Sequence, residues 1–169
     1  MTSIMNKNIQ LPWIEKYRPK DTDQILLDNM LLEKIEKIIE TRSIPNMILT
    51  GEPGTGKTST VLIIAKDIFK DTYNETVLEL NASDDRGLSI INNTIIPFCQ
   101  KITSADEKLI ILDEADSITN KAQNLLSNLI NEFKKNCRFV FVCNDSVKIN
   151  ESIQSKCIIV SFPKLTDIN

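Results

Sequence analysis

The sequence has no histidine, and its four cysteines, Cys99, Cys137, Cys143 and Cys157, show no CxxC spacing. A Cys/His zinc set is therefore excluded, and four reduced thiols packed in a core are expected. No apolar run approaches the roughly 20 residues needed to span a bilayer. The N-terminus also lacks the apolar centre of a signal peptide. A soluble intracellular chain with no membrane partner is expected. There is no excess of positive charge either: 20 Lys and Arg stand against 23 Asp and Glu, for a net charge of −3. A grip on nucleic acid through the overall field is disfavoured, so any DNA contact must be local or shared within a complex. Internal repeats and low-complexity tracts are absent as well. At 169 residues and 41% hydrophobic content, the chain has material for one domain with a real core, not for two.

What is present centres on Gly51-Glu52-Pro53-Gly54-Thr55-Gly56-Lys57-Thr58. Glycines at this spacing, followed by Lys-Thr, form a loop whose backbone amides can wrap phosphate oxygens. An apolar run, Met47-Ile48-Leu49, precedes it. After it, Val61, Ile64, Ala65, Ile68 and Phe69 share one helical face, so the loop opens onto a helix N-terminus whose partial positive charge favours phosphate. Upstream, Leu31, Ile35, Ile38 and Ile39 mark a surface helix that starts near Asp28 and ends before Pro45. Further strands are read at Thr76 to Leu80, Leu109 to Asp113, Arg138 to Asn144 and Ile158 to Phe162. Helical patterns lie between them. Leu88, Ile91, Ile95 and Phe98 form one, expected to kink or end near Pro97; Ala122, Leu125, Leu126, Leu129, Ile130 and Phe133 form another. Such alternation predicts an α/β fold with a five-stranded, mostly parallel sheet, helices on both faces and ligands at the carboxyl ends of the strands.

The chemistry follows from residue type and position. Lys57 is expected to reach the β- and γ-phosphates of a nucleotide, and the Thr58 hydroxyl to sit on magnesium. Leu109-Ile110-Ile111-Leu112 is a buried-strand run that ends in Asp113 and Glu114, which brings two acids to the edge where the loop should lie. Asp113 suits the magnesium shell, and Glu114 suits orienting and deprotonating an attacking water. Asn144 closes the fourth apolar run; the residues alone allow either a turn residue or a neutral amide that reads the γ-phosphate. The segment Trp13-Ile14-Glu15-Lys16-Tyr17-Arg18-Pro19 has no period and reads as an extended arm, whose plain role is a packing strap.

These residues together resemble the small subunits of the replication factor C clamp loader, within the AAA+ ATPases. The resemblance rests on Glu15-Lys16-Tyr17-Arg18-Pro19, the phosphate loop, Ala82-Ser83-Asp84-Asp85-Arg86-Gly87, Asp113-Glu114-Ala115-Asp116 and Ser155-Lys156-Cys157, in that order. It implies a P-loop NTPase core with strand order 5-1-4-3-2, ATP and Mg2+ as cofactors, and Asn144 as the first sensor. It places Tyr17, Arg18 and Pro19 beside the adenine and lets Asn81 restrain Glu114 until a partner binds. The implied organisation is an arm over residues 1–20 and a core over 21–165, with the family's lid and collar absent. The implied function is an ATPase subunit, active mainly within a hetero-oligomeric ring that loads a sliding clamp onto primer-template DNA at the site of replication, in the nucleus or in a viral cytoplasmic site.

Departures from the family pattern carry information too. Lys156 stands where the family has an arginine that reaches the neighbouring subunit's nucleotide; lysine keeps the charge and loses the planar fork. Asn92, Ser127 and Asn128 are neutral where the family is basic, which leaves Arg86 as the candidate for direct DNA contact, with a salt bridge as its alternative duty. A truncated or diverged subunit that binds nucleotide structurally is the competing function. A helicase needs a second domain for which the chain has no room. A phosphate-loop kinase fits Glu114 poorly.

Overall fold

Five short runs of aliphatic and β-branched residues pair side by side in a single parallel sheet. The computed structural model describes residues 29–84, 87–103, 105 and 107–164. The strands are β1 (Met47–Gly51), β2 (Val77–Asn81), β3 (Lys108–Asp113), β4 (Cys137–Cys143) and β5 (Ile158–Phe162). Their order is β2-β3-β4-β1-β5, with every neighbouring pair parallel. This is the expected 5-1-4-3-2 order read from the opposite edge. Boundaries shift by a residue: β2 runs to Asn81, β3 starts at Lys108, and Asn144 lies just past β4 rather than inside it. The arm, including Tyr17, Arg18 and Pro19, falls outside the described residues, as does Arg86.

Helices cover both faces because successive strand residues point to opposite sides. Met47, Leu49, Leu109, Ile111, Val140 and Val142 face one layer, with α1 (Asn29–Thr41) and α2 (Lys57–Phe69). Ile48, Ile110, Leu112, Phe139 and Phe141 face the other, with α3 (residues 88–100), α4 (Asn120–Glu132) and α5 (Glu151–Gln154). In α2 burial runs through Val61, Leu62, Ile63, Ile64 and Ala65 without interruption, so this helix is enclosed almost all round. Each of Val61, Leu62, Ile63 and Ile64 contributes about 1.5–3 kcal/mol by leaving water. The loop that opens α2 is thereby anchored to a helix buried in the core.

The expected kink near Pro97 takes another form. The helix neither ends nor breaks there: an α turn (Leu88–Ile90) passes through a π turn (Ile91–Ile95) into a second α turn (Ile96–Gln100). Proline has no N–H and crowds the preceding turn, and a locally widened turn just upstream accommodates both effects. Ile91 and Ile95 still reach the core, but Leu88, expected on the same apolar face, is largely solvent-exposed. Three of the four thiols are buried and the fourth, Cys157, is half-buried; none is paired in a disulfide.

Lys108 is the charged residue that the strand reading passed over. It is 3% exposed, and its Nζ donates to the carbonyls of Phe98 (2.9 Å), Cys99 (2.6 Å) and Lys101 (2.6 Å). Those are the orphan acceptors at the end of α3, where the helix dipole also favours a cation. Lys108→Met should therefore cost about 2–4 kcal/mol, because three carbonyls at the end of α3, that of Cys99 buried, lose their donor. Urea unfolding measures this; a midpoint equal to that of the parent chain would show the cap to be dispensable.

Candidate functional site

Three strand ends converge at the carboxyl edge of the sheet, where β4 lies between β1 and β3. β1 delivers Gly51, whose close approach to β5 has a steric cause: a Cβ there would sit 2.6 Å from the Phe162 carbonyl oxygen. The loop then turns through Gly54 (φ 80°) and Gly56 (φ 88°), left-handed conformations that other residues rarely adopt. Gly56 is the N-cap of α2 and has no side chain to shield the first amides, which remain available to an anion. Thr55 fastens the loop from within, donating from Oγ1 to the Glu52 carbonyl at 2.9 Å. At its rim, the Lys164 ammonium pairs with the Glu52 carboxylate at 3.1 Å. Pro53 is exposed at the tip.

Lys57 is buried at the centre of this arrangement. Its Nζ donates to the Gly51 carbonyl (2.7 Å), the Glu52 carbonyl (2.8 Å) and Asn144 Oδ1 (3.2 Å). Burial pulls its pKa below the ordinary lysine value, while Cys143, Asp113 and Asp116 act in the opposite direction. Cys143, directly behind the site, is pushed up to about 11 by the same burial. The ammonium is thus a desolvated cation held by neutral dipoles, and an arriving phosphate would offset its desolvation.

Thr58 and Asp113 meet at the sheet edge: Thr58 Oγ1 donates to Asp113 Oδ2 at 2.9 Å. No cluster of three or more His, Cys, Asp or Glu suited to a metal exists among the described residues. Magnesium does not require one, since it is typically held by one or two protein oxygens together with nucleotide phosphates and water. Asp113 Oδ1 accepts from the Glu114 amide at 2.8 Å. Glu114 itself sits at φ 52°, ψ 39°, a left-handed conformation that costs about 1 kcal/mol or more in a residue with a side chain. Its carbonyl accepts from both the amide (2.9 Å) and the hydroxyl (2.8 Å) of Ser117. The strained turn is therefore clamped at both ends, and the Glu114 side chain is left exposed at the sheet edge.

Asn144 reaches Lys57 as described, and its carbonyl accepts from Thr50 Oγ1 at 3.4 Å. Asn81 lies in register with Asp113, but its Oδ1 accepts from the Ser83 amide at 2.9 Å. The expected restraint on Glu114, which needs a donor from Asn81 Nδ2 to the carboxylate, is not made: no Asn81–Glu114 hydrogen bond exists among the described residues. Lys156 lies two residues before β5 begins, at the opposite end of the strands from the phosphate loop. It contributes nothing to the site of its own chain.

Sequence reasoning missed Gln123. It is 1% exposed, and its Nε2 donates to the carbonyls of Ile118 (3.1 Å) and Lys148 (3.0 Å) while Oε1 accepts from the Asn150 amide at 2.6 Å. One buried side chain thus ties the segment after Glu114 to the segment after Asn144. Gln154 holds the second segment from its other side, donating to the carbonyls of Ser146 (2.9 Å) and Ile149 (2.6 Å). The available signal was a polar residue flanking the apolar stripe of α4.

Comparison with known proteins agrees with this geometry. Residues 47–164 match the model of the ATPase family associated with various cellular activities. A protein of Acanthamoeba polyphaga mimivirus named as a replication factor C small subunit is 46% identical over 93% of this chain and 50% of its own length. Human replication factor C subunit 5 is 45% identical over 92% of this chain and 47% of its own length. The chain spans about half the length of these curated relatives. Among solved structures, the Thermotoga maritima RuvB Holliday junction branch migration motor superposes with a TM-score of 0.64 at 19% identity, covering 85% of this chain and 48% of that one. That likeness concerns the fold alone.

Proposed function

The chain belongs to the AAA family of ATPases, and from that premise we propose that it is the nucleotide-hydrolysing core of a clamp-loader subunit, acting in a ring that places a sliding clamp on primer-template DNA. The observation that carries this reading is the meeting of Lys57, the Thr58–Asp113 pair and Asn144 at one sheet edge. The names of the relatives supply the biological setting. Such a subunit works at the site of DNA replication, in the nucleus or in a viral cytoplasmic site.

Each residue then has a task. The loop amides from Gly51 to Thr58 and the N-terminus of α2 receive the phosphates. Lys57 exchanges carbonyl partners for β- and γ-phosphate oxygens, and Tyr17, Arg18 and Pro19 border the adenine. Thr58 and Asp113 would hold Mg2+, which would supply positive charge against the nucleotide phosphates. Glu114 orients the lytic water and accepts its proton, while Asn144 donates from its amide to the γ-phosphate. Lys156 serves the adjacent subunit's nucleotide in trans, replacing a two-point guanidinium contact by a single ammonium.

Assembly is required for efficient turnover on this reading, since the charge from Lys156 reaches a nucleotide only across a subunit boundary. The test is to purify the chain with the subunits that accompany it and assay ATP hydrolysis with and without sliding clamp and primed DNA. Turnover should rise when both are added. Vigorous hydrolysis by the isolated chain, indifferent to all of them, would contradict the proposal.

A further inference from the structure

Lys156 is not a loose surface lysine. Its Nζ donates to Ser127 Oγ at 2.6 Å and to the Ser152 carbonyl at 2.5 Å. Ser127 is 4% exposed, and its own hydroxyl donates to the same Ser152 carbonyl at 3.1 Å. The three groups form a closed triangle between α4, α5 and the turn before β5. Ser127 lies on α4 one helical turn after Gln123, so it shares the buried flank that holds the segment following Asn144.

We infer that Ser127 is a positioning residue for Lys156, fixing the ammonium so that a flexible lysine can serve where a rigid fork would otherwise be needed. The inference rests on the trans role proposed for Lys156. A lysine stem loses considerable rotamer freedom when its ammonium is immobilised, whereas a guanidinium is pre-organised by its plane. The Ser127 hydroxyl and the Ser152 carbonyl impose that order before any phosphate arrives. They take two of the three ammonium protons and leave the third for an anion from outside the chain. Ser127 can do this because it is small and buried beside Lys156; a basic residue at 127 would repel the ammonium instead.

The test uses the ring co-purified with the chain and measures MgATP turnover for Ser127→Ala, Ser127→Thr, Lys156→Met and the double variant Ser127→Ala with Lys156→Met. Ser127→Ala should lower kcat by about tenfold, the loss of roughly one charge-assisted hydrogen bond, with KM for ATP unchanged. Ser127→Thr, which keeps the hydroxyl, should restore most of the rate. In the Lys156→Met background, Ser127→Ala should cost nothing further. If Ser127→Ala slows that background by the same factor, its role is structural and the inference fails. If Lys156→Met is slow and Ser127→Ala is not, Ser127 is refuted while the trans role stands. If Lys156→Met turns over like the parent, the trans role falls and the inference falls with it.

Discussion

Glu114→Gln is expected to slow ATP hydrolysis in the assembled ring by roughly 10²- to 10⁴-fold, the range that a positioned general base supplies. ATP itself should still bind and remain trapped. The substitution keeps the size and shape of the side chain and removes the proton acceptor. Backbone hydrogen bonds to Asp113 and Ser117 hold the turn and do not involve the Glu114 side chain, so folding should be unaffected. The left-handed conformation at φ 52° is retained equally by either residue. Rapid-quench turnover together with nucleotide retention on a filter separates the two effects. Equal turnover before and after the change would favour the competing reading, a subunit that binds nucleotide only as a structural element.

Lys57→Met carries the second large effect, and it falls on binding rather than on chemistry. The ammonium is buried, has a lowered pKa and is held by two loop carbonyls and Asn144. Its removal takes away two or more charge-assisted contacts to phosphate, and ATP affinity should drop by about a hundredfold or more. Fold stability should fall only modestly, because the Gly51, Glu52 and Asn144 oxygens lose their donor while removal of a desolvated charge offsets part of that loss. Calorimetric titration reads the affinity and thermal unfolding reads the fold. A variant that binds MgATP as tightly as the parent would show that Lys57 is a structural brace for its loop.

Much of this was legible in the sequence because the decisive signals are local. Strands such as Leu109 to Asp113 are continuous apolar runs that only a sheet covered on both faces accommodates. The glycines at 51, 54 and 56 mark a backbone whose φ values few other residues tolerate. Thr58 and Asp113 meet because a parallel sheet brings strand ends to one edge, and the order β3-β4-β1 then places Asn144 between them.

What was not legible is long-range polar pairing. Lys108 lies just outside the apolar run Leu109 to Asp113 that marks the strand; its cap on α3 depends on where that helix ends in space. Gln123 and Ser127 flank an apolar stripe and carry no periodic signal, yet each is buried because its partners come from segments some 25 residues away. Asn81 shows the converse, since its Oδ1 accepts from the Ser83 amide two residues along and no bond to Glu114 forms among the described residues. Hydrophobic periodicity locates elements, whereas hydrogen bonds between elements follow only from their packing.

The most direct measurement is a calorimetric titration of magnesium-ATP into the folded chain, alone and with its ring partners, run in parallel on Lys57→Met. The account predicts saturable one-to-one uptake by the parent chain that is lost or greatly weakened in the variant. A folded parent chain that takes up no nucleotide under either condition would contradict the assignment of the Gly51–Thr58 loop, Asp113 and Asn144 to a single triphosphate.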